Sequence, residues 1–206
     1  MKDLKWIGLD AQTFRPYQHW KNTGSVGECG SYVSAVLAHY LVKRDTNNDL
    51  SLSTLLKGLK GPIDHWPLHK GSYVWNLSFS LNYLLKPAGN QAHYGLLSEK
   101  KVPELIKAGK GPVIVGTTSI LGSAYGNHWV LVYAYAYDEE GNLYYHAYDN
   151  HGKYQAIIPA KETIGYVYVS EIISDTTQRS QIPVTTIKQE PVHFVMNSQF
   201  VAPSKK

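Results

Sequence analysis

From Cys29 onward the apolar positions Cys29, Val33, Val36, Leu37, Tyr40 and Leu41 fall at i, i+4, i+7, i+8, i+11 and i+12. That spacing predicts a helix with one buried stripe, which begins at the cysteine. The polar stretch KRDTNND ends it. DLSLSTLLKGL then predicts a short second helix with Asp49, Ser51 or Ser53 as its cap. GPIDHWPLHKG, with two prolines between bounding glycines, reads as a loop. Ser72 stands where it can cap a third helix, whose apolar positions Val74, Leu77, Leu81, Leu84 and Leu85 keep the helical period until Pro87 stops it. A fourth, from Val102 to Ala108, has Pro103 in its first turn and Gly109 just past its end.

After Gly109 the period changes to two. GPVIVGT is a short apolar run, HWVLVYAYAYD and NLYYHAYDN flank the turn EEG, and IGYVYVSEI alternates. Helices followed by antiparallel strands predict an α+β fold of packed layers. Many of the 16 tyrosines lie in these alternating runs. Tyrosine forms strands and keeps a polar tip, so a wide sheet with one partly wet face is expected. Beyond Asp175 the chain turns to Thr, Gln, Ser and Pro, with VHFVM as the one strand expected there. The expected division is therefore a domain over residues 1–175 and an extension, edge strand or linker, over 176–206.

Composition narrows the function classes. A chain of 206 residues, 43% hydrophobic, supports one core. Its net charge of +4 is spread among scattered lysines, which argues against nucleic acid as a main partner. No run of 18 apolar residues is present, so no membrane span is expected, and MKDLKWIGLDAQTF lacks the pattern of a secretory signal. His65 and His69 have the separation of helical zinc ligands, but Pro67 lies between them and no third ligand is near; no metal is expected. GSVGECG and KAGKGP lack the lysine-then-hydroxyl ending of a phosphate loop, so no nucleotide and no other cofactor is expected.

Cys29 is the only cysteine, which excludes an internal disulfide. At a helix start, unpaired N–H groups and the macrodipole favour an anion, so a thiol there ionises below the ~8.5 of a free cysteine. Gly27 and Gly30 are expected to leave it open to a substrate backbone. The competing reading is a small hydrophobe ending a buried stripe. A nucleophile needs a base, and His128 is the best placed: it follows the glycine-bearing loop TTSILGSAYGN and opens a strand. The hairpin returns Asp149 and Asn150 to the same end, where either can accept the imidazole N–H. A bulge expected at Gly141 decides between them, so both stay open. His151, at the strand's exit, is the other candidate imidazole.

In this order, Gln18, GECGSYVSAVLAHYL, GNHWVLVYAY and YYHAYDN resemble the papain-like cysteine peptidases, in particular the bacterial branch similar to the double-glycine leader peptidases. The resemblance runs from about Tyr17 to Val169. It implies a papain-like fold, with N-terminal helices, the nucleophile on the central helix and a C-terminal antiparallel sheet. It implies Cys29 as nucleophile, His128 as general base and acid, and Asp149 as orienting group. Gln18 would serve as oxyanion donor beside the Cys29 N–H. The family's glutamine commonly stands nearer its cysteine, at the place of Thr23 here, whereas Gln18 is eleven residues before Cys29; Gln12 and Asn22 are the alternatives.

The reading that follows is a thiol hydrolase acting on a peptide or protein substrate through a thioester. Its alternatives are an acyltransferase using the same residues and an inert binding module whose aromatic residues form the contact surface. The resemblance favours a secreted or surface protein.

Overall fold

A computed structural model describes residues 4–23, 27–64 and 71–172. They fall within one compact unit, Met1–Ile173. Among the described residues four α-helices, α1 (Cys29–Thr46), α2 (Leu52–Asp64), α3 (Val74–Leu85) and α4 (Ser98–Lys107), accompany seven strands. The strands are β1 (Ile7–Gly8), β2 (Asn90–Gly95), β3 (Val113–Thr117), β4 (His128–Tyr137), β5 (Leu143–Tyr148), β6 (Ala156–Pro159) and β7 (Thr163–Glu171). All pair antiparallel in the order β2-β7-β3-β4-β5-β6, with β1 added alongside β4. The architecture is α+β. The residues His65 and His69, the VHFVM segment and the expected 176–206 extension lie outside the described residues.

Helix α1 begins at Cys29, but one apolar stripe does not describe it. Residues 29–39 are buried on every side, because the sheet covers one face and α2 and α3 cover the others. Its small residues Gly30, Ser31, Ser34, Ala35 and Ala38 let those elements come close. At Gly30 an added Cβ would overlap Ser72 Oγ and lie 2.8 Å from Leu77 Cδ2. Gly30 therefore serves the α1–α3 approach, and the expectation that it opens the thiol to a substrate backbone is corrected.

Three further boundaries differ from expectation. Helix α2 continues through Pro62, where a loop was expected. Leu55, Leu59 and Ile63, four apart and all buried, hold that face on the core and outweigh the hydrogen bond that proline removes. Ser51 is its cap, accepting the Thr54 N–H at 3.2 Å. Helix α3 takes Tyr73, not Ser72, as N-cap, with the Tyr73 N–H bonded to Asn76 Oδ1 at 3.0 Å. Helix α4 starts at Ser98, a turn before the expected Val102.

The centre of the sheet is covered on both faces, and one face stays partly wet over β2 and β7, where His93, Tyr166, Tyr168 and Ser170 are half-buried. Phe14, Val36, Leu37, Leu77, Leu131 and Tyr133 fill the layer toward α1 and α3. Val102, Ile106, Val113, Val130, Val132 and Tyr145 fill the layer toward α4. Tyr133, Tyr145 and Tyr148 are fully buried, each hydroxyl donating to a main-chain carbonyl, of Tyr154, Ser98 and Trp20 respectively. At the sheet's edge, Asn82 of α3 bonds both the N–H and the carbonyl of Ala92, taking the place of a neighbouring strand.

Glycines predict opposite outcomes at two positions. A Cβ at Gly116 of β3 would stand 2.6 Å from the Ile164 main-chain oxygen, which cannot yield, whereas Gly58 of α2 has nothing within 4 Å. Urea denaturation should show Gly116→Ala losing about 1–3 kcal/mol. Gly58→Ala should gain about 0.5–1 kcal/mol. Equal effects would contradict the packing described.

Candidate active site

Cys29 and His128 line one solvent-open cleft of about 830 Å³. Asn22, Thr23 and Gly27 bound it on the N-terminal side, Ser72 to Trp75 from the start of α3, and Thr117, Asn127, Trp129, His151 and Ile164 from the sheet. Cys29 is 9% exposed and is the first residue of an 18-residue helix, whose N-terminus favours negative charge. Its neighbour Glu28 is neutralised by Lys60 of α2 at 2.8 Å.

His128 opens β4 where an ordered loop ends. Asn127 Oδ1 accepts from the Thr118 hydroxyl at 3.0 Å and the Ser119 N–H at 3.2 Å, closing the loop. Ser119 and Ser123 belong to this closure. Thr117 Oγ1 then donates to the carbonyls of Gly126 and His128. These bonds fix the backbone that carries the ring.

The His128 ring is oriented by a main-chain atom. Its Nε2 lies 2.8 Å from the carbonyl oxygen of Asp149. A carbonyl only accepts, so Nε2 carries the proton and Nδ1 of the neutral ring is the acceptor. The Asp149 carboxylate is engaged elsewhere. Oδ1 accepts the N–H groups of His151 and Lys153, each at 2.9 Å, and Oδ2 accepts the Tyr125 hydroxyl at 3.1 Å. Asp149 thus meets His128 through its backbone, while its side chain ties the turn that aims that backbone. Asn150 points away from the imidazole: its Nδ2 donates to the Trp129 carbonyl at 2.8 Å.

The register expected to choose between these two residues is set at a different place. Gly141, at φ +84°, closes the turn on the Asp138 carbonyl. The extra residue is Tyr133, between Val132 and Ala134. There Tyr133 and Ala134 both face α1, and Tyr133 stacks on Phe14 at 4.3 Å.

Gln18 does not line the cleft. It lies in a 3-10 segment, Ala11–His19, with its amide nitrogen 3.1 Å from Nε2 of His19. Gln12 is in the same segment, its N–H donating to Asp10. Asn22 alone of the three glutamine and asparagine candidates borders the cleft. Sequence reasoning left His151 in the background, yet its ring lies 4.4 Å from that of His128 and both line the cleft. Trp129 was overlooked; its indole N–H donates to the Ser72 carbonyl at 3.0 Å and ties the sheet wall to the helical wall. No group of three metal-ligating side chains occurs among the described residues, and no described helix is long and apolar enough to cross a membrane.

No family model and no curated protein matches the chain. Among solved structures it is similar to the crystal structure of a double glycine motif protease from an AMS/PCAT transporter in complex with the leader peptide. The similarity covers 73% of this chain and 89% of that one, at 16% identity and a TM-score of 0.44. A likeness of that size assigns neither a family nor an activity.

Burial pushes the His128 imidazole below its ordinary 6.5; the bond to the Asp149 carbonyl opposes this and the His151 ring adds to it. Burial also lowers His146, which stacks on Trp6 and packs at a tilt against Tyr133. Below about 6.5 the unfolded chain binds more protons than the fold, so stability rises with pH across that window and is lost as pH falls through it. The thermal midpoint should be lower at pH 5 than at pH 7. His146→Phe, which keeps the stack and removes one titrating ring, should narrow the difference; an unchanged difference would contradict this account.

Proposed function

We propose that the chain is a thiol hydrolase of papain-like type that cleaves amide bonds of peptides or proteins, with Cys29 as nucleophile and His128 as general base and acid. The observation that carries the reading is the shared cleft of a helix-first cysteine and a buried imidazole whose tautomer leaves Nδ1 free to accept a proton. Cys29 Sγ attacks the carbonyl carbon as its proton passes to His128 Nδ1. The imidazolium then protonates the leaving nitrogen, the C–N bond breaks, and a thioester remains. Water, deprotonated by Nδ1, attacks the thioester carbonyl; the C–S bond breaks, the departing thiolate takes the proton back from the imidazolium, and the acid leaves.

In this reading the Asp149 main-chain oxygen does what a side-chain acceptor would otherwise do. It stabilises the imidazolium and holds the ring's tautomer. The Cys29 N–H, at the start of α1, supplies one oxyanion donor.

One observation favours the binding-module reading. Trp75, Phe79 and Tyr83 recur every four residues along α3 and are 47%, 70% and 65% exposed. Such a row is suited to an apolar partner. Trp75 also lines the cleft, so the row continues a wall of the site already described.

Iodoacetamide near neutral pH should alkylate Cys29 about tenfold or more faster than a free thiol, since a free cysteine is only a few per cent thiolate at pH 7. His128→Ala should slow hydrolysis in a fluorogenic peptide library by roughly 10²–10⁴-fold. Cys29→Ala should abolish it. Ordinary thiol reactivity, or hydrolysis that survives Cys29→Ala, would refute the hydrolase reading.

A further inference from the structure

The reading above leaves the oxyanion one donor short, because Gln18 is outside the cleft. Three successive residues before the cysteine lie against the end of β5 and the turn that follows it. The Trp20 carbonyl accepts the Tyr148 hydroxyl. The Lys21 side chain crosses Gly152 so closely that a Cβ there would meet its Cε at 2.8 Å. The Asn22 N–H donates to the Asn150 carbonyl at 2.8 Å.

Asn150 is itself immobilised. It is fully buried, sits at φ +47° in the left-handed region, and is anchored through Nδ2 to the Trp129 carbonyl. Left-handed backbone in a residue other than glycine persists only where the surroundings hold it. The same turn supplies the Asp149 carbonyl that orients His128. One turn therefore positions the base and, one residue later, the backbone of Asn22.

We infer that Asn22 is the side-chain oxyanion donor of this site, and that Asn150 is the residue that positions it. The inference rests on the thiol-hydrolase reading. Asn22 lines the cleft with Cys29, is half-buried, and makes no side-chain hydrogen bond among the described residues. Its carboxamide is thus available to an oxyanion, and its backbone is fixed by the bond to Asn150. Thr23, the other polar residue at that rim, is exposed.

The test uses two reactions of Cys29 in the full chain. Acylation by p-nitrophenyl acetate, followed as the p-nitrophenolate burst, passes through an oxyanion; alkylation by iodoacetamide does not. Asn22→Ala should lower the acylation rate by about 10²–10³-fold, the cost of one such donor, and leave alkylation unchanged. Asn22→Gln should recover part of the loss. Asn150→Gly relieves the left-handed backbone while removing the anchor to Trp129. Because the same turn carries the Asp149 carbonyl, it should lower both reactions, acylation by more than alkylation, and acylation by less than Asn22→Ala does. Unchanged acylation in Asn22→Ala, or the same selective loss in Thr23→Val or Gln18→Ala instead, would overturn the inference while fast alkylation keeps the thiol reading standing. Slow alkylation of the unaltered chain would remove both.

Discussion

A histidine in a cleft can act as a base only if the right nitrogen is unprotonated, and in this molecule that choice is made by the Asp149 main-chain oxygen. At 2.8 Å from Nε2, an atom that can only accept keeps the proton on that side of the ring. The carbonyl is held in turn by the Asp149 carboxylate, which gathers two N–H groups and the Tyr125 hydroxyl around itself. Burial of both residues makes the arrangement stiff: an unpaired ring nitrogen or main-chain oxygen at that depth would cost about 1–3 kcal/mol.

The helical and sheet walls of the cleft are joined by close approaches that larger residues would prevent. Gly30 lets α1 meet the start of α3, Gly116 makes room for the Trp129 indole, and Gly165 makes room for Val74 of α3. Trp129 then bonds the Ser72 carbonyl across the cleft floor. Its own carbonyl anchors Asn150, so the turn after β5 is referenced to the same residue that spans the two walls. The positions of Cys29, His128 and the N-terminal segment are therefore set by one connected set of bonds and contacts.

Much of this was legible in the sequence, and the exceptions have physical causes. The helix starting at Cys29, the strand opening at His128 and the hairpin returning to Asp149 follow from periodicity and turn residues. Strand β2, Asn90–Gly95, carries no β-branched residue and is defined by β7 and by the amide of Asn82, both distant in sequence. Helix α2 passes Pro62 because Ile63 is buried, a tertiary effect that local propensity does not register. The bulge falls at Tyr133 because its ring packs on Phe14 of the N-terminal segment, whereas Gly141 only closes the turn. Within the site, residue types indicated Cys29, His128 and the 149–150 pair. That Asp149 orients the ring by its carbonyl was invisible, since every residue has one. Gln18 followed from a resemblance in order, and the packing of the 3-10 segment directs it elsewhere.

The most direct measurement of the central claim is the tautomer of His128, read from ¹⁵N chemical shifts and one-bond N–H couplings in histidine-labelled protein at a pH where the ring is neutral. The account predicts a proton-bearing Nε2 and a pyridine-type Nδ1, with the Nε2 proton slow to exchange. A proton on Nδ1, or rapid interconversion between the two nitrogens, would contradict it.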